Sequence, residues 1–188
     1  MLKFAAPFAA FALVAPALAD PLPLTPADPQ PDAAALAQGL AVSYAFESVR
    51  SLEEAQGYLD EAKPGPALQG LSYLDGSETD PALTSDSPDK VIAAISGFIR
   101  FDAPGTYALE IISNDGIEAH IGDQRVAFFD GVHGCDSAGV QEVEVPEAGW
   151  YALDATYFQR KGSSCLLMDW SAGGEMEPVP DDAFAYMK

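Results

Sequence analysis

Positive charge is scarce in this chain of 188 residues: nine Lys and Arg stand against 29 Asp and Glu, a formal net charge of −20. Nucleic acids and anionic membranes are bound through basic patches, so neither is an expected partner. The balance suits a solvated acidic surface and, more loosely, divalent cations. Cysteine is also scarce. Cys135 and Cys165 are the only two, without CxxC spacing, which is a weak pattern for zinc. In an oxidising compartment such a pair reads as one disulfide; the rival reading is a metal site shared with His133 and Asp136. Asparagine occurs once, as Asn114. No GxSxG elbow, HExxH pair or phosphate loop is present. Two oxidised cysteines leave no thiolate nucleophile, and no apolar pocket that would tune a carboxyl pair for glycoside hydrolysis can be seen. The expectation is a protein that is not an enzyme.

One apolar run stands out. Residues 1–19, MLKFAAPFAAFALVAPALA, carry a single Lys3, an apolar stretch and a small-residue end, the pattern of a signal peptide cleaved before Asp20. The run is too short to span a membrane and is interrupted by Pro7 and Pro16, and no later stretch is apolar enough to span. No cysteine near the cleavage point offers a lipid anchor. Loss of residues 1–19 removes Lys3 and no acid, leaving 8 basic against 29 acidic groups, a net −21. The mature protein is expected to be exported, to periplasm or extracellular space. Residues 20–38 hold five prolines and little bulk and read as an extended linker, with the folded domain at 39–188.

Within that domain LAVSYAF (40–46) reads as a strand. Ser51 and Glu54 form a capping box, and Leu52, Ala55, Leu59 and Ala62 recur at helical spacing, which predicts one short helix near residues 52–62. Residues 63–89 read mostly as loop, with a short strand near 71–74. From Val91 onward alternating runs dominate, at 91–101, 106–113, 117–121, 125–129, 141–145, 150–159 and 164–171. Turn signals separate them: Ala103-Pro104-Gly105, Gly122-Asp123, Asp130-Gly131 and Pro146 to Gly149. Ser113-Asn114-Asp115-Gly116 reads as hairpin punctuation, because Asp-Gly favours a tight turn. The fold class is therefore all-β, an antiparallel β-sandwich, jelly-roll-like, with Tyr107, Tyr151, Tyr157 and Trp170 in its core.

The order of several motifs carries more than a fold class. Gly39-Leu40, Tyr44 and Ser51-Leu52 are followed by Gly97-Phe98-Ile99 and Pro104-Gly105-Thr106-Tyr107. Then come Ser113-Asn114-Asp115-Gly116, Ile121-Gly122-Asp123 with Val126, and His133 after a short loop. Gly149-Trp150-Tyr151, Tyr157-Phe158 and Asp169-Trp170-Ser171 close the series. The set, spanning about 39–186, resembles the protective-antigen (fourteen-kilodalton) β-sandwich domain of bacterial toxins, glycosidases and fungal adhesins. The resemblance implies a non-catalytic module that recognises carbohydrate, such as an envelope glycan, through loops at one end. It also implies a calcium site where Asn114-Asp115 stand, since the family's lectins carry paired aspartates there. This chain departs twice: the first aspartate is Asn114, and the loop Gln159-Arg160-Lys161-Gly162-Ser163-Ser164 has no Asn and carries two positive charges. Asp123, Asp130 and His133 lie on neighbouring loops and complete the candidate ligand-binding set with Asn114 and Asp115. The alternative is a protein-protein interaction or structural module of the cell envelope with no sugar role.

Overall fold

A computed structural model describes residues 20–74 and 76–188. The expected signal peptide, residues 1–19, lies outside the described residues. The elements are β1 (Leu22–Pro23), β2 (Leu36–Gln38), β3 (Ala41–Phe46), α1 (Leu52–Gln56), β4 (Lys63–Pro64), β5 (Ser72–Tyr73), β6 (Val91–Phe101) and β7 (Gly105–Asn114). They continue with β8 (Ile117–Ile121), β9 (Gln124–Phe129), β10 (Asp136–Val145), β11 (Gly149–Gln159), β12 (Cys165–Ser171), β13 (Glu177–Pro178) and β14 (Phe184–Met187).

The strands form two sheets. One has the order β1-β10-β7-β12-β13, with β5 also on β12; the other has β2-β14-β6-β11-β8-β9, with β3 on β6 and β4 on β3. Every pairing is antiparallel except β1 on β10. Strand β6 organises the second sheet. It pairs with β11 over its whole length, Val91 opposite Gln159 and Phe101 opposite Gly149. On its other side it takes β3 first and β14 beyond. Gly97 sits where β6 meets β14, and a Cβ there would lie 2.5 Å from the Ala185 carbonyl oxygen.

Alternation explains the core. On β7, Tyr107, Leu109 and Ile111 point inward, and on β11 Tyr151, Leu153 and Tyr157 do the same. Phe101 packs against Tyr107, Tyr151 and Trp170 with ring centroids 4.9, 5.3 and 5.7 Å away. Three of the four expected core aromatics are buried, and Trp170 is half-buried against the same cluster. The expected helix is α1 plus a short 3-10 turn at Leu59–Glu61, divided at Gly57. Ser51 caps it, accepting from the Glu54 N–H, while Glu54 accepts from the Arg50 N–H. The helix covers the outer face of the second sheet, closing Val49, Leu52 and Ala55 over Ala45, Ile92 and Phe158.

Two sequence expectations need correction. Residues 20–38 are not a free linker but a strap across the sandwich. Leu24 is buried, and the N–H groups of Leu24, Thr25 and Ala27 donate to Glu144, Gly122 and Trp150 carbonyls. Gln30 holds Trp150 through both its amide atoms. Proline lacks a donor, yet the intervening residues supply these bonds. Likewise Asn114-Asp115-Gly116 is not a hairpin. β7 pairs with β10 and β12, whereas β8 pairs with β9 and β11, so this segment carries the chain from one sheet to the other. The two-residue hairpin is Gly122-Asp123 between β8 and β9, where both residues have positive φ, 51° and 66°.

Candidate functional site

At the crossing between sheets, Asp115 is 1% exposed yet ionisable. Its backbone N–H donates to the Phe158 carbonyl at 3.0 Å, and its own carbonyl accepts from the Ser113 hydroxyl at 2.7 Å. The carboxylate accepts from the His133 N–H at 2.9 Å through Oδ1 and from the Arg160 N–H at 2.7 Å through Oδ2. One side chain thus ties three segments together: 113–116, 130–134 and 158–163. Gly116 allows the tight fit, since a Cβ there would lie 2.3 Å from the Phe158 ring. The preceding peptide, Asn114-Asp115, is cis.

The disulfide reinforces the same place. Cys165 pairs in register with Asn114, and Asp136 with Ser113, so Cys135–Cys165 joins the two strands flanking β7 at its end. Strands two apart in a sheet stand roughly 10 Å from each other. The bonded Cα atoms are 5.9 Å apart, so β10 and β12 close together where β7 leaves the sheet. The metal reading for these cysteines is therefore replaced by the disulfide.

Two side-chain oxygens here have no partner. Asn114 is 7% exposed and Gln159 is fully buried, and the amide oxygen of each is buried without a hydrogen bond. Gln159 donates through Nε2 to the Gly162 carbonyl at 2.9 Å, and the Asn114 backbone carbonyl accepts from the Tyr157 hydroxyl. His133 Nε2 and Arg160 Nε are also buried and unpartnered. The His133 ring stacks on Phe129 with centroids 3.6 Å apart, and its Nδ1 meets the Gly134 carbonyl at 2.8 Å.

The other expected site residues divide. Asp130 belongs to this end, but its Oδ1 is engaged by the N–H groups of Leu52 and Gly131, both at 2.7 Å, so it anchors the start of α1. Asp123 is exposed on the β8–β9 hairpin, at the far end of β8 from Asp115, and does not join the cluster. Gln159 is the addition: it follows Tyr151, Leu153, Ala155 and Tyr157 on the inward face of β11, and a polar residue in such a series was its legible signal. The carboxyls that burial pushes upward lie elsewhere. Asp154 is on the outer face of the second sheet, and Asp169 stands opposite Glu110, whose charge raises it further. Among the described residues, no three His, Cys, Asp or Glu side chains gather as a metal-binding group, and no helix is long and apolar enough to cross a membrane.

This architecture is that of PA14 domains, the protective-antigen type. The PA14 domain of the antifreeze protein MpAFP matches with a TM-score of 0.67 at 18% identity, covering 85% of this chain and 95% of that one. A PA14 sugar-binding domain from an RTX adhesin matches at 0.62 and 17%, covering 79% of this chain and 98% of its own. The Epithelial Adhesin 9 A domain from Candida glabrata, solved with Galβ1-3GlcNAc, matches at 0.60 and 14%, covering 89% and 96%. No family model matches the sequence, and no curated protein matches it.

Proposed function

We propose that this chain is an exported, non-catalytic module that binds carbohydrate at the end of the sandwich organised by Asp115. The observation that carries the reading is the pair of buried, unpartnered amide oxygens of Asn114 and Gln159, on the two segments that Asp115 joins. An unsatisfied buried oxygen costs about 1–3 kcal/mol, so two of them on neighbouring segments mark a place made for a partner. Calcium takes six to eight oxygens from carboxylates, amides and carbonyls, and Asn114, Asp115 and Gln159 fit that donor type. These three residues would hold the ion, and a bound calcium supplies open coordination positions for vicinal hydroxyls. Arg160, whose Nε is unpartnered, has a donor to offer a sugar hydroxyl. The sugar-binding RTX adhesin domain and the Candida glabrata adhesin domain share this fold, which supports the same reading. The disulfide accords with an oxidising compartment outside the cytoplasm.

Calorimetric titration with calcium chloride tests the ion directly, and Gln159→Leu tests the residue. Wild type is expected to bind calcium and the variant to bind it at least tenfold more weakly while staying folded. Equal titrations would remove the ion from the proposal. A glycan-independent protein partner would instead support an envelope interaction module.

A further inference from the structure

A second feature at this end lies on the other flank of the second sheet. A groove of about 600 Å³ opens between β3, β4 and the 84–86 loop, with Tyr58 closing one side. Three rings line it: Tyr44, Phe46 and Tyr58. Tyr44 and Phe46 stack at 6.3 Å; Tyr44 is 5% exposed and Phe46 47%, so Phe46 is the ring that the pair presents to the groove. The Tyr44 hydroxyl is fixed by Thr84, which donates its N–H at 3.1 Å and shares a hydroxyl contact at 2.8 Å, so this ring is held in place. Glu47, Glu61 and Asp86 also line the groove, and none of their three carboxylates accepts a hydrogen bond or forms an ion pair among the described residues. Lys63 is the single cation on the wall among the described residues, and its ammonium forms no ion pair.

We propose that this groove binds an organic ammonium group, primary or quaternary. Ring faces carry negative potential and attract ammonium ions, most strongly where water is thinned out by a concave wall. Three unpaired carboxylates against one lysine leave the groove negative, which complements a cation and repels an anion. The exposed Phe46 presents the open ring face, and the buried, hydrogen-bonded Tyr44 stacked beside it holds that ring in place, which limits the ordering cost of binding. The groove is separate from the Asp115 site: Phe46 is in register with Val91 and Val91 with Gln159, so two strand spacings, roughly 10 Å, part them along the sheet. It uses no calcium ligand, so its success or failure is independent of the carbohydrate reading.

The test is NMR titration of residues 20–188 in chelator with choline chloride and with its uncharged isostere 3,3-dimethylbutan-1-ol. Separate arms with glucosamine, glucose and lysine amide distinguish an amino sugar from a lipid-type headgroup or a basic side chain. Choline is expected to bind with a Kd on the order of millimolar and the isostere about tenfold more weakly, the ratio that cation attraction to rings and carboxylates gives. Phe46→Ala, at an exposed position, and the pair Glu61→Gln with Asp86→Asn should each weaken choline several-fold without changing the fold. Equal affinity for choline and its isostere, tighter binding of glucose than of glucosamine, or no shifts at the groove with any ammonium would overturn the proposal.

Discussion

Replacing Asp115 with alanine removes the acceptor for two backbone N–H groups, those of His133 and Arg160. Each donor left without a partner costs about 1–3 kcal/mol when buried, and both residues here are half-buried, so the lower part of that range applies. Removal of a buried carboxylate also recovers some desolvation cost. The net expectation is a loss of about 1–3 kcal/mol. For a chain of this size that lowers Tm by roughly 2–12 °C. Urea unfolding in excess chelator is the assay, because chelator removes any contribution from bound cations. Asp115→Asn should fall between wild type and alanine, since the amide keeps one acceptor but turns a donor toward a donor. If Asp115→Ala in chelator lost less than about 1 kcal/mol, or gained stability, the three segments would not depend on this carboxylate. Asp115 would then be a ligand residue rather than the knot of the fold.

Other consequences follow from separate elements. Replacing both cysteines by serine should cost about 3.5 kcal/mol, the chain-entropy value for a closed loop with a separation of 30 residues, read as a shift in the urea midpoint; no shift would mean that Asp115 alone holds this end. Deleting residues 20–38 should destabilise the domain by several kcal/mol, because Leu24 leaves the core and the edge loses its strap; unchanged unfolding of residues 39–188 would restore the linker reading. Asp169→Asn should raise stability at neutral pH. Burial, and then Glu110 opposite it, lift the Asp169 pKa above 3.8 in the folded state, so ionisation weakens the fold as pH rises from 3.8 through the raised value. Below pH 3.8 variant and wild type should converge, and a benefit that persisted there would point to packing instead.

The sandwich strands were legible because alternation with a period of two is a local signal. Val91–Phe101 and Ile117–Ile121 stand where the alternating runs place them. Partnering was not legible. Asp115-Gly116 and Gly122-Asp123 carry the same turn chemistry, yet one crosses between sheets and the other closes a hairpin. Both need a sharp change of direction, and only long-range pairing decides which strand comes next. The strap was not legible for another reason: its two strands, Leu22–Pro23 and Leu36–Gln38, and its one buried leucine are too short for any period to register among five prolines. At the site, the sequence located Asn114, Asp115 and His133 together, but not the direction of their atoms. That Asp115 binds two backbone N–H groups, and that Gln159 buries a free oxygen, are facts of three-dimensional convergence.

The most direct measurement is a glycan-array screen of residues 20–188, run side by side in calcium and in chelator. The account predicts binding in calcium that disappears with chelator and with Gln159→Leu. Glycan binding that persists in chelator and in the Gln159 variant would contradict the site proposed here, and no binding in either condition would contradict the carbohydrate reading itself.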